Sequence, residues 1–167
     1  PGVAEDVVEI TLNVKQLAVK LLEPGEKKLE LSVKGPCEVT ASMITEIANV
    51  EILNPDLTIC HISKDVDFKM TLTVNEGKGY LPSSQNRKND NPIGLIPVDS
   101  IFSPIKNVSY KVENTRVGQD TDYDKLTMSI ETNGTIIPED AIALAGRIIS
   151  DQASLFVNFE EEEQVEE

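Results

Sequence analysis

Tryptophan is absent from this chain and aromatic residues make up only 4% of it, so any core must be built from Val, Ile and Leu. Basic residues are scarce as well. Lys and Arg number 15 against 29 Asp and Glu, a formal net charge of −14. Holding a phosphate backbone depends on Lys and Arg displacing counterions, so this balance excludes nucleic-acid contact except through a local basic patch. Two cysteines, Cys37 and Cys60, are too few and too far apart for a disulfide framework or a zinc site. Each reads as a small buried hydrophobe with a free thiol. The single histidine, His61, follows Cys60 in the run LTICHIS. Adjacent strand residues point to opposite faces, so this pair suits neither a shared metal nor a nucleophile with its base, and His61 reads as structural or surface. No run approaches the roughly 18 apolar residues of a membrane span, and no signal-peptide pattern is present. A cytoplasmic protein is expected. No Walker loop, dinucleotide fingerprint, nucleophile elbow or metal-binding His pair occurs, so the chain offers no convincing active site, and neither metal nor cofactor is expected.

What is present is clear patterning. A chain of 167 residues fits one domain or two small ones. The segment AEDVVEITLNVKQL reads as a helix with Val3, Val7, Ile10, Val14 and Leu17 on one face, Glu5 and Asp6 in its first turn and Lys15 in its last. The runs LAVKLL and LELSVKG then read as a hairpin, Leu29, Leu31 and Val33 alternating with polar residues. In DFKMTLTV, Phe68, Met70, Leu72 and Val74 alternate with polar partners, the mark of a half-buried strand. The stretch from Pro82 to Asn91 reads as a mobile surface loop, and Ile93 to Pro104 is too broken by proline for a regular element. Two strands follow around Val108, Tyr110 and Val112 and around Leu126, Met128 and Ile130, joined by the polar connector TRVGQDTD. The last element is a helix from Pro138. Its stripe of Ala141, Leu144, Ala145, Ile148, Leu155 and Phe156, widened by Ile142 and Ile149, needs a partner surface and is expected to pack on one side against the strands carrying Tyr110 and Met128. The acidic run 160–167 is expected to be solvated and disordered.

One pattern imitates a metal site. Asp120, Asp122, Asp124 and Glu131 occupy the first, third, fifth and twelfth positions of a calcium loop. Lys125 stands where that loop needs glycine, and LTMSIE alternates like a strand, so a turn with a solvated face is favoured.

The runs GKGYLPS, NPIGLIPVDSIFSPIKNVSYKVENTRVGQDTDYDKL and TNGTIIPEDA, between Gly77 and Ala141, resemble the amino-terminal domain of the alpha subunit of bacterial and plastid RNA polymerase. The likeness extends from GVAEDVVEITLNVKQLAVKL near the start to RIISDQASLFVNF near the end. It implies an α+β fold: an inserted unit over residues 1–104, the returning half of a dimerisation unit over 105–159, and a linker from 160. The other half of that unit would precede Pro1, so a fragment is expected, and the stripe on the last helix would lack its cover. The implied role is a scaffold, itself non-catalytic, within a nucleotidyltransferase complex. Such a subunit dimerises and nucleates assembly with the beta and beta-prime subunits.

Residue by residue, the family's beta-facing motif falls on Glu9 and Lys15, each of which also suits a solvated helix face. Its beta-prime motifs fall on Val98, Ile105 and Lys125, and the first two suit a core equally. The chain departs from the family where Ile137 replaces the usual capping Asp before Pro138, and where Arg87 and Lys88, with only Asp90 acidic, replace an acidic activator-binding loop. Two rivals stand beside this reading: a free-standing acidic module that sequesters polymerase subunits, and a calcium-binding module.

Overall fold

The first helix, α1, spans Val7–Val14 in the computed structural model, which describes residues 1–87 and 90–157. It is shorter than its periodicity suggests because Asp6 is the N-cap rather than a first-turn residue. The Asp6 carboxylate accepts from the Glu9 N–H at 2.8 Å, and the Glu9 carboxylate accepts from the Asp6 N–H at 3.1 Å. This reciprocal capping box sets where the helix starts. Ile10, Val14 and Leu17 pack on the core, whereas Val7 is exposed and Val3 lies ahead of the helix in a bridge to Ile62.

The strands, in order, are β1 (Val19–Leu21), β2 (Lys27–Lys34), β3 (Cys37–Thr40), β4 (Val50–Ile52), β5 (Thr58–Ile62), β6 (Asp67–Val74), β7 (Tyr80–Leu81), β8 (Ser100–Ile101), β9 (Ile105–Val117) and β10 (Asp120–Thr132). A short helix α2 (Ser83–Asn86) and a long α3 (Pro138–Ser154) complete an α+β fold. The expected hairpin of LAVKLL with LELSVKG does not form. β1 pairs antiparallel with β4, matching Lys20 to Glu51, and β2 pairs with β6, matching Leu29 to Leu72, Leu31 to Met70 and Val33 to Phe68. Eight residues of matched alternation on β2 and β6 bury more apolar surface than the three-residue β1 could offer β2. β3 pairs with β5, opposing Val39 to Cys60 and Glu38 to His61.

Leu29, Leu31, Val39, Ala41, Ile44, Ile59, Cys60 and Ile62 form one buried cluster, with Phe68, Met70 and Leu72 half-buried around it. Cys60 is buried, and this desolvation pushes its thiol up to about 11. Cys37 is only half-buried. His61 lies on the open side of β5.

By compactness the chain divides into two units. The first holds Pro1–Lys106 with Asn133–Thr135, and the second holds Asn107–Thr132 with the residues from Ile136 onward. The cluster above belongs to the first. In the second, β9 and β10 run through the supposed connector TRVGQDTD and meet in a two-residue turn, where Gly118 takes a φ of +63°. A positive φ at the first turn position is what glycine supplies most cheaply, and it lets both strands extend to thirteen residues. Asp120, Asp122 and Asp124 therefore stand at alternate positions of a strand, roughly 6.5 Å apart, and do not curl round a cation. α3 begins without a side-chain cap, because Ile137 occupies the N-cap, and Glu139 and Asp140 in its first turn favour the dipole. The expected packing of its stripe on the strands is not seen. Tyr110 and Met128 are exposed, as are Leu144, Ala145, Ile148, Leu155 and Phe156, and Ala141 alone of the stripe is half-buried. No described residue of the second unit is buried.

Candidate functional site

One residue singled out by the family resemblance, Lys15, makes a long-range contact at the C-terminal end of α1. Lys15 is the C-cap of that helix, where a cation suits the exposed carbonyls. Its ammonium donates to the Asp99 carboxylate at 2.7 Å, with the side chains 26% and 33% exposed. The Tyr80 hydroxyl donates more weakly to the same Asp99 oxygen, at 3.4 Å. The hydrogen bond from Lys15 is the first cause holding the Asp99 carboxyl below its ordinary range, and the Lys15 charge adds to it. Asp99 directly follows Val98, so this bond brings Lys15 to the stretch of chain next to Val98, 83 positions away in sequence.

Asp99 reaches Lys15 from a small closed segment. β7 and β8 pair Tyr80 with Ile101 and Leu81 with Ser100. The stretch Pro82–Asn91, expected as a mobile surface loop, carries α2. Asn86 donates from its side-chain amide to the Val98 carbonyl at 2.6 Å and to the Ser100 hydroxyl at 3.3 Å. The supposedly irregular Ile93–Pro104 region thus contains a strand, β8. Phe102 lies against Gly77, where a Cβ would come within 2.6 Å of its ring, which accounts for the first glycine of GKGY. Lys88 and the acidic run 160–167 lie outside the described residues, as do residues 158 and 159.

The other candidates stand apart. Glu9 is exposed, and one carboxylate oxygen is occupied by the capping box. Val98 and Ile105 are half-buried; Ile105 opens β9 within the first unit. Lys125 is exposed on β10 in the second unit. Sequence reasoning missed Asp99 and Tyr80, because nothing in a linear pattern pairs Lys15 with a residue 84 positions away. It also took Glu5 for a first-turn residue.

Glu5 in fact precedes α1 and clasps His61. One of its oxygens accepts from the His61 backbone N–H at 2.7 Å, and the other lies 2.6 Å from the ring Nδ1. The Glu5 carboxyl is lowered, first by the His61 side-chain hydrogen bond, and the imidazole is raised, first by the hydrogen bond to Glu5. A raised His contributes stability that is full below its ordinary 6.5 and is lost as pH climbs through the raised value. A lowered Glu contributes above its ordinary 4.5 and loses that as pH falls through the lowered value. The clasp is therefore strongest between about pH 4.5 and 6.5. Proton NMR of the sole histidine should show a pKa above 6.5 that returns towards it in Glu5→Gln. An identical titration in both proteins would show that the clasp does not form.

Among the described residues no group of three or more His, Cys, Asp or Glu side chains is placed to hold a metal ion. No helix among them is long and apolar enough to cross a membrane. The architecture defines an α+β domain of short antiparallel sheets followed by a hairpin and a helix. Residues 1–103 match the family model of the RNA polymerase Rpb3/RpoA insert domain, and the chain belongs to that family. It is thus a domain with a subunit role in DNA-directed RNA polymerase, and it serves transcription.

Proposed function

We propose that the chain is a non-catalytic assembly scaffold of the alpha-subunit type. It dimerises through α3 and, as a cytoplasmic dimer, recruits the beta subunit through the surface around Glu9 and Lys15. The beta-prime subunit is recruited through Val98 and Ile105 of the first unit and, separately, through Lys125 of the second. The chemistry of nucleotide addition would then belong to those larger partners, and the excess of acidic residues keeps this segment off DNA. The observation that carries the reading is the division of labour between the two units. The first has its own buried core, whereas the second spreads a seventeen-residue helix whose large apolar side chains have no cover. A surface of that kind suits assembly.

Co-purification tests it. The chain should recover both large subunits, and Lys15→Glu should lower recovery of beta while beta-prime is retained. Reversing a desolvated interface charge costs about 2–5 kcal/mol, against under about 1 kcal/mol for a solvated one. The reversal also sets a carboxylate against Asp99, so Lys15→Met is the companion variant that removes charge without that repulsion. Undiminished recovery of beta with both variants would overturn the assignment. Capture of subunits that never enter active polymerase would instead favour a sequestering module.

A further inference from the structure

We propose that Asp99 is a positioning residue for Lys15, an inference that rests on the reading of Lys15 as a partner-binding cation. A lysine at a helix end would ordinarily sample many rotamers, and a partner would have to order it. Here the ammonium is already fixed at 2.7 Å from Asp99 Oδ2. Asp99 is itself held from two directions. Tyr80 reaches its carboxylate at 3.4 Å, and the residues on either side of it, Val98 and Ser100, are both bonded by the Asn86 amide. An ammonium carries three donors and Asp99 takes one, so two remain for acceptors on a partner, either carboxylates or backbone carbonyls. The closed segment from Gly77 to Phe102 thereby aims a cation that α1 alone would leave free to swing.

Binding affinity for purified beta subunit and amide hydrogen exchange at Tyr80, Leu81 and Phe102 are measured on the full chain. Asp99→Asn should weaken binding by up to about five-fold, the range of a partly exposed ion pair, and Asp99→Glu should recover most of it. The exchanged pair, Lys15→Asp with Asp99→Lys, rebuilds the bond with the charges reversed. Exchange protection of the segment should return in it, while binding should not. If the exchanged pair restores binding, the bond is only a strap and the proposal fails. Unchanged binding in Asp99→Asn alongside a large loss in Lys15→Met would also overturn it, yet leave the role of Lys15 standing. Unchanged binding in Lys15→Met would remove the reading beneath it.

Discussion

Leu31→Ala should lower the unfolding free energy of the first unit by about 2–5 kcal/mol, the span seen when a buried leucine is cut back. Leu31 is 1% exposed, faces Met70 across the β2–β6 ladder and bridges to Ile44. Its truncation removes contacts to both strands of that sheet and to the segment after β3. The strands around it are fixed by register, so the space cannot close without shifting the ladder. Glu30, one residue away on the exposed side of β2, is the control, and Glu30→Ala should shift stability by no more than about 0.5 kcal/mol. Because the two units need not unfold together, the measurement is amide exchange of β2 and β5 under native conditions, which reads the first unit alone. Equal exchange rates in the two variants would mean that the cluster around Leu29 and Leu31 is not the core.

The second large effect concerns association. Ile148 is 64% exposed and Phe156 is 89% exposed, and with Leu144, Ile149 and Leu155 they make an apolar face of several hundred square ångströms by the usual size of such side chains. Covering it at about 25 cal/mol per Å² is worth several kcal/mol before the costs of association are subtracted. In a two-fold dimer each side chain counts twice. The chain should therefore self-associate at micromolar concentration, and the double variant Ile148→Asp with Phe156→Asp should be monomeric, a loss of more than about a hundred-fold in affinity. Sedimentation velocity on both proteins decides. A parent chain that stays monomeric at tens of micromolar, with α3 amides well protected, would sink the proposed dimerisation.

Legibility in the sequence tracked how local each cause is. The alternation of DFKMTLTV and of LELSVK became β6 and β2, with Leu29 and Leu31 on the buried side, because a period of two is written in consecutive residues. The uncapped entry to α3 was equally readable from Ile137 and Pro138. The start of α1 was misjudged although its signal was present: Asp6 and Glu9 are three apart, the spacing of a capping box. Strand pairing was not readable, because β1 chooses β4 over its neighbour β2 through a match with residues some thirty positions on. Lys15 drew notice through its motif, but the carboxylate that holds it drew none. That pairing depends on where the segment from Gly77 to Phe102 closes, which no short pattern encodes.

The ladders of the first unit carry a consequence in time. β1 waits for β4, β2 waits for β6, and β3 waits for β5, so the three pairings overlap along the chain instead of following one another. The first ladder is still open when the second begins, and the second outlasts both others. A chain made from its amino end therefore has Leu29 and Leu31 in hand long before Met70 and Leu72 exist to cover them. The β3–β5 pairing is complete once Ile62 is made, but the longest ladder closes over Leu29 and Leu31 only when Val74 arrives opposite Lys27.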